Sequence, residues 1–337
     1  MSVATGGNSL DEELNPFSLP KDFRSGILGR LRAFVLLSGS IRSNPFPAAI
    51  GRSILGLPVD DHRSLLAAWM DEASELSSEL ELGSLSLRVL MDRSSPKPDV
   101  PKSRAGVDLS LEQDRVEYRG SGGLLRDIAS DYADDDFLLV GNGNQLLLRS
   151  LSSLTYRLSM LEGDISLVAH EDGTPSGLFL VRCGCVRDIA KVGFVDFKEQ
   201  ALRGIARKYC VKVLHLETPA GLPVRTRMEY LRALRLHYSN HADTRETSSP
   251  YREEWMPAFS IVEDGARVED DVRLCDCVVL TGGTIGAGAA VVRSVVCPGG
   301  QIAAGQTVID RIVEPPSLRF GDLVRAGRRA KARLTPA

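Results

Sequence analysis

The chain has 337 residues, of which 43% are hydrophobic and 25% charged, and its formal net charge is −3. That length accommodates a large α/β domain and a smaller second one, and the charge excludes a general electrostatic attraction to nucleic acid. No apolar run approaches the roughly 20 residues needed to cross a bilayer, so no membrane partner is expected.

Residues 1–27 are polar and acidic, lack the positive-then-apolar order of a secretion signal, and read as a flexible leader of a cytoplasmic protein. Residues 32–38 (RAFVLLS) form an apolar run ending at Gly39, as a buried central strand does. Helical spacing over 64–80 predicts a helix, 85–91 a strand, and the Pro- and Ser-rich stretch 92–105 a loop. A helix is expected at 123–132, then a strand at 136–140 that runs into Gly141-Asn142-Gly143-Asn144. Residues 144–161 read as a helix, 165–170, 177–182 and 211–216 as strands, and 226–238 as an amphipathic helix. Alternating strands and helices over 28–238 imply a doubly wound, mostly parallel α/β sheet. Asp134, Asp135 and Asp136 precede their strand, the wrong end for a ligand site in such a sheet, and read as a solvated acidic turn.

A polar linker at 239–258 leads into a different pattern. From 259 to 313 an apolar residue returns at Val268, Leu274, Leu280, Ile285, Val291, Cys297, Ile302 and Val308, in steps of six or five. That period suits a short strand plus a sharp bend, repeated so that each inward residue stacks on an earlier coil. Hexapeptide coils also build acyltransferases that use a coil histidine, but no histidine follows His241. The six cysteines, including the C-x-C pairs Cys183/Cys185 and Cys275/Cys277, read as reduced structural thiols, with a metal site as the second reading. Residues 314–337 form a basic, solvated tail.

Certain stretches carry more specific chemistry. After the first strand comes LLSGSIRSNPFPAAIGRSILGLPV, with Leu37, Ser38 and Gly39, then Arg42 with Pro45, Arg52, and Leu57-Pro58-Val59. Arg119-Gly120-Ser121-Gly122-Gly123-Leu124-Leu125-Arg126 opens a helix, GNGN follows the central strand, and PSGLFLV surrounds Gly177. In this order, ahead of a hexapeptide coil, these stretches resemble the sugar-1-phosphate nucleotidyltransferases of the mannose-1-phosphate guanylyltransferase and glucose-1-phosphate thymidylyltransferase type. The likeness spans roughly 32–313 and marks the chain as a divergent member. It implies a Rossmann-like nucleotidyltransferase domain followed by a short left-handed parallel β-helix.

By the resemblance, Leu37, Ser38, Gly39, Gly120, Ser121, Gly122, Gly123 and Asn142 bind a nucleotide. Arg42 and Arg52 hold phosphates as the catalytic cations, while Ser176 and Gly177 flank a sugar. The family places two Mg²⁺-binding aspartates after the central strand and near the domain's end; here those positions are Asn144 and Pro223. Mg²⁺ prefers hard, anionic oxygen ligands. Asn144 offers it only a neutral carbonyl oxygen and Pro223 no side-chain donor at all. The expectation is therefore a protein that binds a nucleotide sugar or sugar phosphate with weak or no catalysis, in a regulatory or assembly role. Its partners would be a second copy or an active paralogue, met through the β-helix. The alternative is an active enzyme of carbohydrate metabolism, making a nucleoside-diphosphate sugar and pyrophosphate at a rearranged Mg²⁺ site.

Overall fold

A computed structural model describes residues 26–39, 45–92, 96–113, 120–190, 193–241 and 258–316. Arg42, nearly all of the expected leader, most of the 239–258 linker and the tail from 317 onward lie outside the described residues.

The strands in chain order are β1 (Leu31–Leu37), β2 (Leu85–Met91), β3 (Val107–Gln113), β4 (Phe137–Asn142), β5 (Gln145–Leu147), β6 (Ile165–His170), β7 (Pro175–Arg182), β8 (Val211–Leu216) and β9 (Gly221–Pro223). Seven of them form one sheet in the order β3-β2-β1-β4-β7-β6-β8. Only β7 runs antiparallel to its neighbours in this sheet, because a four-residue connection joins it to β6 and leaves no room for a crossover. The expected mixed α/β fold with a parallel-rich sheet is what the chain adopts.

Helices cover both faces: α1 (Pro45–Ile50), α2 (Leu65–Glu79), α3 (Gly120–Ala129), α4 (Leu151–Ser159), α5 (Cys183–Arg187), α6 (Leu202–Ile205) and α7 (Arg227–His241). A π-helical turn, Phe197–Ala201, precedes α6. Side chains alternate across β1. Phe34 and Leu36 enter a core with Trp69, Leu66 and Leu154, while Ala33 and Val35 enter the opposite one with Leu125, Ile128 and Val186.

Some expectations change. Residues 144–161 are not one helix, since 145–147 leave to pair with β9 and α4 starts only at Leu151. Strand β3 was not anticipated, because an edge strand reading VDLSLEQ is half exposed and carries no continuous apolar run. The acidic turn is not simply solvated: Asp134 pairs with Arg187, Asp135 with Arg182 and Asp136 with Arg32.

Beyond α7, ten short strands, β10 (Ser260–Val262) to β19 (Ile312–Val313), build three parallel ladders. Ser260 pairs with Cys277, Arg267 with Thr284 and Arg273 with Ala290, so one circuit takes 17 residues. The six-six-five steps of the sequence are the three sides of that circuit. Left-handed backbone recurs at each corner: Gly265, Gly282 and Gly299; Asp271, Gly288 and Gly305; Asp276, Arg293 and Asp310. A chain that bends this sharply needs positive φ there, which glycine and aspartate tolerate best. Five of the eight predicted inward residues, from Leu280 to Ile302, are buried at 4% exposure or less. Val268 is 37% exposed, because the first circuit has no coil above it.

The first ladder does not face solvent. Phe259, Ile261, Val278, Leu280, Val295 and Cys297 join the same core as Trp69 and Tyr230. Two arginines of α7 tie the third corner to the α/β domain: Arg235 reaches Asp276, and Arg227 reaches the Arg293 carbonyl and Asp310.

Candidate functional site

Strand order reverses between β1 and β4, and open α/β sheets bind ligands at such a point, beyond the carboxyl ends of the strands. The end of β1 delivers Ser38 and Gly39 there, and the end of β4 delivers Asn142, Gly143 and Asn144. Because β7 is antiparallel, its first residues, Ser176 and Gly177, reach the same edge. Asp92, at the end of β2, stands beside Gly39.

At the centre, the Ser38 hydroxyl donates to Asn144 Oδ1 at 2.6 Å, and both residues are buried. The Asn144 N–H donates to Asn142 Oδ1 at 3.0 Å, and its carbonyl accepts from the Val224 N–H at 3.0 Å. Gln145 pairs with Pro223. The two positions that the resemblance assigns to metal carboxylates, 144 and 223, therefore lie side by side, although 79 residues separate them in the chain.

Their chemistry does not suit Mg²⁺. Asn144 Oδ1 is a neutral oxygen already accepting a hydrogen bond, the Pro223 side chain donates nothing, and the Asn142 oxygen is also in use. Among the described residues no three His, Cys, Asp or Glu side chains converge on one point. A hard dication needs carboxylate or free carbonyl oxygens in a near-octahedral set, which these residues do not supply.

Arg52 lies elsewhere. Its guanidinium grips Glu263 of the coil with two bonds of 2.7 and 3.0 Å, and Glu263 is itself held by the N–H and hydroxyl of Thr281. The side chain expected to hold a phosphate thus ties the two parts of the chain together.

The Gly120–Gly123 segment does form the first turn of α3, but the chain's own backbone lies across it. The Gly122 N–H donates to the Val195 carbonyl at 2.9 Å, and a methyl group at Gly120 would stand 2.4 Å from that oxygen. Ser121 Oγ contacts Asp196 Oδ2 at 3.2 Å and accepts from the Phe197 N–H at 2.9 Å. The glycines are accounted for by close approach of residues 194–196.

Ser176 is also locally engaged, its Oγ accepting from the Leu178 N–H at 3.2 Å. Gly177 has φ +94°, and a methyl group there would sit 3.0 Å from Asn142 Cβ and 3.8 Å from both Gln145 Oε1 and Lys198 Nζ. Gln145 is 3% exposed, and its amide nitrogen has no hydrogen-bond partner among the described residues. Lys198 is exposed as a residue, and desolvation lowers its pKa; Asp196 opposes that shift and Arg225 adds to it.

Asp92, Gln145 and Lys198 are the site groups that sequence reasoning did not single out. Gln145 stood next to Asn144 in a stretch read as helix. Lys198 carried no signal, since nothing local in VDFKEQ says that it reaches back to β7.

No family model matches the chain, and no curated protein matches it. Solved structures do. HddC from Yersinia pseudotuberculosis is 14% identical with a TM-score of 0.43, covering 60% of this chain and 98% of its own. A Mycobacterium tuberculosis rv0371c homologue from Mycobacterium sp. strain JC1 is 18% identical with a TM-score of 0.41, covering 61% and 95%. A protein from Bacillus anthracis assigned as a glucose-1-phosphate thymidylyltransferase, solved in complex with a sucrose, is 10% identical with a TM-score of 0.44, covering 65% and 97%.

Proposed function

We propose that this chain is a nucleotidyltransferase-like protein that binds a nucleotide sugar or sugar phosphate at the β1–β4 switch point without catalysing nucleotidyl transfer, and so serves a regulatory or assembly role. The Ser38–Asn144 bond carries this reading: a neutral, saturated pair stands where the resemblance puts a metal-binding carboxylate. Attack of a sugar phosphate on a nucleoside triphosphate builds negative charge that catalysis must offset. Around Gly177 the groups present for that task are the neutral amides of Asn142 and Gln145 and the Lys198 ammonium, with Arg225 acting on it. The same reading takes the three parallel ladders as a left-handed β-helix, supported by the 17-residue circuit and its positive-φ corners. With one ladder engaged by the α/β domain, the other two faces are left for a second copy or an active relative.

Asp92 favours the competing reading, an active sugar-1-phosphate nucleotidyltransferase with a rearranged metal site, because it is a carboxylate at the correct edge of the sheet. One experiment separates the two. Purified protein is incubated with Mg²⁺, each nucleoside triphosphate and a panel of hexose-1-phosphates while pyrophosphate release is followed, and calorimetry measures binding of the same sugar phosphates and of nucleotide sugars. Binding without release is the expected result. Pyrophosphate release that disappears in Asp92→Asn would establish the enzyme instead.

A further inference from the structure

We draw no further inference here: the strongest candidate, the outward-facing apolar stripe of Cys275, Val292 and Ile309 on the ladder that pairs Arg273 with Ala290, carries nothing because nothing in the structure shows what covers that face.

Discussion

Ser38 and Asn144 face each other across the switch point of the sheet, hydroxyl to carboxamide oxygen at 2.6 Å, with Asn144 7% exposed. A carboxylate at position 144 would be a buried charge whose nearest donor is that one hydroxyl. In Asn144→Asp we expect a loss of about 1–3 kcal/mol at pH 7, the cost of burying an undercompensated polar group. The new carboxyl's pKa should rise on burial, so the loss should shrink as pH falls below that pKa. Urea denaturation at pH 5 and pH 8, with and without Mg²⁺, checks this. Mg²⁺ should give no recovery, since Pro223 adds no ligand, and full recovery in Mg²⁺ would show that a metal pocket survives.

Arg52 and Glu263 make a bidentate pair only 25% and 18% exposed. Removing either partner strands the other's charge at the junction. Arg52→Ala should cost about 2–4 kcal/mol, and a double-mutant cycle with Glu263→Ala should recover part of it. Affinity for sugar phosphates should stay within about twofold of wild type, since ligand binding is not where this side chain acts. A large affinity loss with unchanged stability would return Arg52 to the ligand site.

Gly120 adopts φ +69° directly under the Val195 carbonyl. Alanine there meets both left-handed strain, about 1–2 kcal/mol, and a backbone oxygen that cannot turn aside. We expect Gly120→Ala to lower the melting temperature by several degrees, about what 2 kcal/mol or more produces in a domain of this size. It should also loosen residues 194–196, seen as faster hydrogen exchange at the Gly122 amide. If that amide exchanges fast in the wild type, residues 194–196 do not cover the first turn of α3.

Glu72 caps α4 by accepting the Leu151 N–H at 2.8 Å. Burial is the main cause that pushes its carboxyl up to about 7; the Leu151 bond opposes it, and Glu75 and Asp71 add to it. A raised carboxyl pKa favours the folded state fully below the unfolded value near 4.5, and that contribution is lost as pH rises through 7. Glu72→Gln keeps the cap acceptor and removes the titration. The variant should therefore match wild type near pH 4.5 and exceed it at pH 8, by up to about 3 kcal/mol from 1.36 kcal/mol per pKa unit. Chemical denaturation across that range measures the crossover, and parallel curves would dismiss it.

Within the candidate site, legibility followed the range of the interaction. The meeting of 144 with 223 was foreseen only through a resemblance, yet the β5–β9 pairing puts those positions together. Just beyond Pro223, Thr226, Glu229 and Tyr230 do structural work. Thr226 Oγ1 accepts the Glu229 N–H, Glu229 accepts the Arg225 N–H, and the buried Tyr230 hydroxyl donates to the Pro58 carbonyl. These three residues are accounted for by capping a helix and filling a core.

What the chain dictated unaided was periodicity: apolar runs that become central strands, and steps of six, six and five that close into a 17-residue circuit whose corners, Arg293 apart, are glycine or aspartate. Those features depend on backbone geometry over a few residues, so they are written locally. Folding alone decided which polar groups are spent and which are left over. Arg52 finds Glu263 from 211 residues away, Val195 covers the glycines of α3, and Lys198 arrives beside Gly177. A side chain's partner is set by how distant elements dock, and no local pattern carries that information.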